Sequence, residues 1–111
     1  MAVDRLTSAM LVGALRRRAD AAGGFCTVLA KGDETSGAIL LQTLERGQDT
    51  GLFERASDYA GGYHLIPCGP EASDPQATTQ YLARRRQSDP DLWIIELDIV
   101  EAPRFAAETI C

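Results

Sequence analysis

The sequence predicts an α+β domain: a mostly antiparallel sheet of four to five strands with two helices packed on it, in the order α-β-β-β-(β)-α-β. Three observations carry this. Residues 92–100 alternate so that Trp93, Ile95, Leu97 and Ile99 share one wholly apolar strand face, while Leu92, Ile94, Glu96, Asp98 and Val100 share the other. Residues 25–31 and 38–46 are strand-like runs separated by turn-forming residues. Two segments with helix-capping signals, 7–22 and 76–88, complete the set.

The first helix is expected over 7–22. Thr7 or Ser8 supplies the cap, Leu11, Leu15, Arg18 and Ala22 form one stripe, and Gly23-Gly24 ends it. Phe25 to Lys31 and Ala38 to Arg46 read as the two arms of a hairpin around Gly32-Asp33-Glu34-Thr35-Ser36-Gly37. If Lys31 pairs near Gly37, Phe25, Leu29, Ile39 and Leu41 share one face, and Val28, Ala30, Ala38 and Leu40 the other. Both faces are apolar, so each needs a cover, from within the chain or from a second subunit.

Gly47 to Gly51 reads as a turn and Leu52 to Ser57 as a third strand. The stretch Tyr59–Pro70 is irregular, with a short fourth strand at Tyr63-His64-Leu65-Ile66. Asp74-Pro75 opens the second helix, with Ala77, Tyr81, Leu82 and Arg85 inward; Pro90 stops it near Ser88. Pro103 closes the last strand and leaves 101–111 as a C-terminal tail.

The 111 residues are expected to form one domain, 1–111. A net charge of −5 argues against general nucleic-acid binding, which needs a basic face to displace counterions. No apolar run approaches a membrane span, and the apolar stretch Ala9–Leu15 precedes its arginines, the reverse of a secretory signal. Cys26, Cys68 and Cys111 are an odd set without a close pair, which reads as reduced thiols in a cytoplasm. No cofactor is implied.

Glu96 and Asp98 lie two apart on one strand face, roughly 6–7 Å from each other. Such a pair can hold Mg²⁺ or serve as acid and base, the basis of a metal-assisted hydrolase or nuclease-like reading. The element order resembles, as topology only, the core of restriction-endonuclease-like nucleases. Those place a lysine two positions after a carboxylate; here the only lysine is Lys31, and position 29 is leucine. Against the metal reading stands a solvated or ion-paired strip.

The runs Arg16-Arg17-Arg18 and Arg84-Arg85-Arg86 end both helices, where cations complement the helix dipole. Arg18 and Arg85 fall on the apolar stripes, where a guanidinium stem packs and its head calls for a planar anionic partner. Arg17, Arg18, Arg84, Arg85 and Trp93 are therefore the candidate surface for an anionic ligand or acidic protein partner. His64 and Cys68, four apart on one strand, are read as non-catalytic, and Lys31-Gly32-Asp33 as a turn rather than a phosphate loop.

Ala21 to Phe25, Val28-Leu29, Lys31-Gly32-Asp33 and Gly37 to Leu41 form one distinctive stretch. Tyr81-Leu82, Arg84 to Arg86 and Asp89-Pro90-Asp91-Leu92-Trp93-Ile94-Ile95-Glu96 form a second. Together they resemble the small alphaproteobacterial proteins of domain of unknown function 1491. The resemblance implies a bacterial cytosolic protein of one domain and brings no activity, cofactor or catalytic residue. The expectation is a non-enzymatic binding or interaction module, a homodimer being one way to cover the second apolar face.

Overall fold

The computed structural model describes residues 6–58 and 60–111, so Tyr59, which opens the irregular stretch, lies outside it. The elements are α1 (Ser8–Ala21), β1 (Phe25–Ala30), β2 (Ile39–Glu45), β3 (Gln48–Ser57), β4 (Tyr63–Cys68), α2 (Pro75–Ser88), β5 (Trp93–Asp98) and α3 (Ala102–Ile110). The α+β class and the fourth strand are as expected. A third helix stands where a tail was expected, because Pro103 sits in the first turn of α3. There its missing N–H costs nothing. Ala102, Ala106 and Ile110, four residues apart, turn α3's apolar stripe into the core.

The sheet order is β1-β5-β2-β3-β4. Three pairings are antiparallel, but β5 runs parallel to β2, with Ile39 opposite Trp93 and Leu41 opposite Ile95. The expected β1–β2 hairpin is therefore absent: β5 inserts between the two arms and pairs with both. Its apolar residues on both faces explain why. Leu92, Trp93, Ile94, Ile95 and Leu97 are all buried, and only a central strand covered on both sides can bury such a run.

The insertion also resets the faces. Cys26 and Val28 join Ile39, Leu41, Trp93, Ile95 and Leu97 under α1 and α3, whose Leu11, Val12, Leu15, Ala19, Ala106 and Ile110 close that core. Phe25, expected beside Ile39, points to the opposite face, where it lies open. That second face packs Leu40, Leu52, Leu92 and Ile94 against Tyr81 and Leu82 of α2. On both faces the apolar residues of β2 and β5 are thus covered within the chain, while Phe25 and Leu29 of β1 stay exposed. Each fully buried Leu or Ile contributes about 1.5–3 kcal/mol, so the two layers dominate the stability.

The first helix is phased one step away from expectation. Ser8, Leu11, Val12, Leu15 and Ala19 face inward, and Arg18 is exposed. The β2–β3 connection is tighter than the expected 47–51 turn. Arg46 and Gly47 both take positive φ, 54° and 80°, as the central pair of a two-residue hairpin turn requires.

Candidate functional site

The two arginine runs do not converge. α1 and α2 lie on opposite faces of the sheet, so Arg17 and Arg18 are separated from Arg84 and Arg85 by the whole sheet. Trp93 belongs to neither surface. It is 4 % exposed, and its Nε1 donates to the Asp33 carbonyl at 2.7 Å.

The stripe arginines find internal partners. Arg85 makes a fork to Glu54 on β3, with Nη1 to Oε1 at 2.9 Å and Nη2 to Oε2 at 3.0 Å. The Tyr81 hydroxyl accepts a third bond from it. Glu54 first, and the Tyr81 hydroxyl after it, holds the Arg85 guanidinium still more firmly protonated than usual, against some loss from burial. This is the bidentate carboxylate expected for Arg85, but it is structural: it ties α2 to the sheet. Arg18 donates to Thr109 Oγ1 at 2.6 Å and stacks 5.0 Å from the Phe105 ring centre, joining α1 to α3. Arg86 donates to the Leu92 carbonyl. Arg84 is exposed, 6.0 Å from the Tyr81 ring centre.

The strand carboxylates also separate in role. Asp98 accepts from the backbone N–H of Arg46 at 3.0 Å and of Gly47 at 2.8 Å, one with each oxygen, which fastens the β2–β3 turn to β5. Glu96 stands between Thr27 and Gln42 in register, half-buried, on the part of the second face beyond α2. Among the described residues no three Asp, Glu, His or Cys side chains are grouped as a metal site. His64 is exposed on β4, and Cys68 lies four residues on, a rise of about 13 Å along a strand. They do not touch. Burial pushes the Cys26 thiol up to about 11, with Arg16 pulling weakly the other way, so it carries little thiolate at neutral pH.

The open concavity lies at the sheet edge instead. A groove of about 510 Å³ runs between α1 and β1, lined by Gly13, Arg16, Arg17 and Asp20 on the helix and Gly24, Phe25, Cys26 and Thr27 on the strand. A second hollow, bordered by Leu6, Met10 and Ala14, continues it and shares Gly13 and Arg17. Gly13 leaves room there for the Arg17 guanidinium: a Cβ on residue 13 would meet Nη1 at 3.2 Å. Among the described residues neither Arg16 nor Arg17 has an ion-pair partner. Of the candidate arginines, then, Arg17 is in the groove. Arg16 and the strand backbone joined it unannounced, because only the helix phase and the position of β1 at an edge reveal them.

Residues 6–107 match the family model described as "Protein of unknown function (DUF1491)". The chain belongs to this family. A crystal structure of a DUF1491 family protein from Caulobacter crescentus CB15 is similar to it, with a TM-score of 0.78 and 31% identity, covering 92% of this chain and 94% of that one. An NMR structure of a DUF1491 family protein from the same organism gives 0.73 and 32%, covering 86% of each. The solution structure of protein Atu0922 from A. tumefaciens gives 0.67 and 33%, covering 86% and 87%. No curated protein matches the chain.

The two stretches that resemble DUF1491 proteins meet in space as a clasp. Gly32 and Gly37 both press on the Asp91 carbonyl oxygen so closely that a Cβ at either would overlap it. Asp33 N–H donates to that same oxygen, and the Asp33 carbonyl accepts from both Gly37 N–H and Trp93 Nε1. The Asp33 carboxylate caps Ser36 and Thr35, hydrogen bonds that hold it below its usual range. Thr35, Glu34 and Gly37 carbonyls in turn receive Ser8 N–H, Ala9 N–H and Ser8 Oγ at the start of α1. The spacing therefore encodes a structural lock, and it leaves the α1–β1 groove at the other end of the helix.

Proposed function

We propose that this protein is a non-enzymatic interaction module whose working surface is the groove between α1 and β1, taking an acidic partner. The observation that carries it is the pair Arg16 and Arg17. They are exposed and without an ion-pair partner among the described residues, and they line an open groove in a chain of net charge −5. Of the other candidate cations, Arg85 is committed to Glu54 and Arg18 to Thr109, and Arg84 stands exposed on the opposite face of the sheet, outside this groove. Arginines that serve only to complement a helix dipole need no groove, whereas exposed guanidiniums lining a concavity suit carboxylates. A bacterial cytoplasmic location fits this reading, since Cys26, Cys68 and Cys111 are free thiols.

Calorimetric titration with poly-glutamate tests it. The protein is expected to bind with an affinity that falls as salt rises, because exposed charges are screened over about 10 Å at 0.1 M. Arg16→Glu/Arg17→Glu is expected to abolish binding while Arg84→Glu leaves it in place. Equal binding by the Arg16→Glu/Arg17→Glu variant and the parent would overturn the reading.

A further inference from the structure

We propose that the partner is an acidic segment of another protein, bound extended as a sixth strand along the free edge of β1. Its backbone pairs with Phe25–Val28 and its carboxylates meet Arg16 and Arg17. This rests on the groove being the working surface and goes further, because it names the backbone of β1 as half of the site.

Among the described residues the sheet order leaves β1 paired only with β5. An antiparallel edge strand turns the N–H and C=O of alternate residues outward, so β1 presents unpaired backbone groups on its far side. The groove opens onto that edge. Gly24, Phe25, Cys26 and Thr27 line it consecutively, whereas a sheet face would offer only every second residue.

Sheet edges are ordinarily blunted by charge, proline or cover. β4, the opposite edge, carries Pro67, whose missing N–H breaks any added ladder, and its Tyr63 ring lies 3.5 Å below the Arg55 guanidinium. β1 reads Phe-Cys-Thr-Val-Leu-Ala, with neither charge nor proline. Its one irregularity, the bulge between Val28 and Ala30, falls past the groove and leaves Phe25–Val28 in regular register. Phe25 is 72 % exposed at that edge, an apolar contact for alternate side chains of an incoming strand.

Charge selects the occupant. The helix wall offers two arginines against Asp20, so an acidic extended segment completes it. A second copy paired β1 to β1 would bring two such net-positive walls together. A bound helix could not use the outward backbone groups at all.

The test follows amide exchange of the ¹⁵N-labelled protein with a nine-residue peptide that alternates glutamate and valine. Its control is the same peptide with every backbone nitrogen methylated, equal in charge but with no N–H to donate to a ladder. We expect the outward amides of residues 25–28 to exchange about tenfold slower or more with the first peptide and not with the control. Gly13→Leu, which fills the groove from a helical position where losing glycine favours folding, is expected to remove that protection. Binding of both peptides through Arg16 and Arg17 without protection of β1 would overturn strand addition and leave the groove's function standing. Silence with both peptides would overturn it too. So would β1 amides already protected in a dimer without peptide, or protection conferred instead by a single-stranded RNA.

Discussion

Gly32 and Gly47 stand in opposite situations, and replacing each with alanine separates two kinds of glycine. At Gly47 the φ of 80° strains an L-residue, but nothing lies near where a Cβ would go. Gly47→Ala is expected to cost about 1 kcal/mol, the ordinary left-handed penalty. At Gly32 a Cβ would overlap the Asp91 carbonyl and crowd the Trp93 ring. Backbone cannot yield as a flexible side chain does, so Gly32→Ala is expected to cost about 3 kcal/mol or more. Urea unfolding measures both. Comparable losses would mean that the clasp between residues 32–37 and Asp91 contributes no tight packing. These residues also mark how far a sequence can be read at this scale. Lys31-Gly32-Asp33 and Asp89 to Trp93 stand out as motifs by themselves. Their joint purpose is invisible until the carbonyl between the two glycines is seen, because the contacts span some sixty residues.

Hairpins and helix ends extend the same lesson to whole elements. The β2–β3 turn is clipped to β5 by Asp98, whose two oxygens accept the Arg46 and Gly47 N–H groups. Hydrogen bonds to a carboxylate are worth more than neutral ones, but these are solvent-exposed, so Asp98→Ala is expected to cost about 1 kcal/mol. Glu96→Ala, losing no hydrogen bond among the described residues, is expected to stay within about 0.5 kcal/mol. Millimolar Mg²⁺ is expected to leave the melting temperature of the parent protein unchanged. A metal held by Glu96 and Asp98 would give the opposite pattern, with Mg²⁺ raising that temperature and both substitutions cancelling the rise. Thermal melts with and without the ion decide between them. From sequence the pair looks symmetric, because alternation assigns a face and not a partner. Arg18 turns outward for a related reason: a stripe of Leu11, Leu15 and Arg18 fits the helix period as well as the observed Leu11, Leu15 and Ala19 does. Only packing against α3 chooses. α3 itself was hidden by Pro103, which reads as a stop when it follows a strand and as a first-turn residue when a helix begins there.

At the scale of the molecule, the decisive fact is that the sheet is completed from the end of the chain. Apolar alternation identified β5 and its Trp93 face as core, and the strands, two of the helices and the overall class were legible. Sheet order was not, since neighbouring runs 25–31 and 38–46 offer a hairpin as plausible locally as the pairing that forms. That order is also what turns β1 into an edge, so the groove inherited the same illegibility while its arginines stood out plainly. A shortened chain of residues 1–90 puts the order to the test. Without β5, β1 loses the strand it pairs with among the described residues, and β2 loses the parallel strand that buries Ile39 and Leu41. The loss of the buried Leu92, Trp93, Ile94, Ile95 and Leu97, at about 1.5–3 kcal/mol for each side chain, is comparable with the roughly 5–15 kcal/mol by which a whole domain is stable. Residues 1–90 are therefore expected to show no cooperative melt by circular dichroism, and a separate peptide of residues 91–111 is expected to restore one. Had β1 and β2 paired directly, the four-stranded remainder would keep its own hydrogen-bonded ladder and melt cooperatively unaided. Recovery by the added peptide with amide protection on both β1 and β2 marks an inserted central strand, because a strand docked at an edge protects one neighbour only.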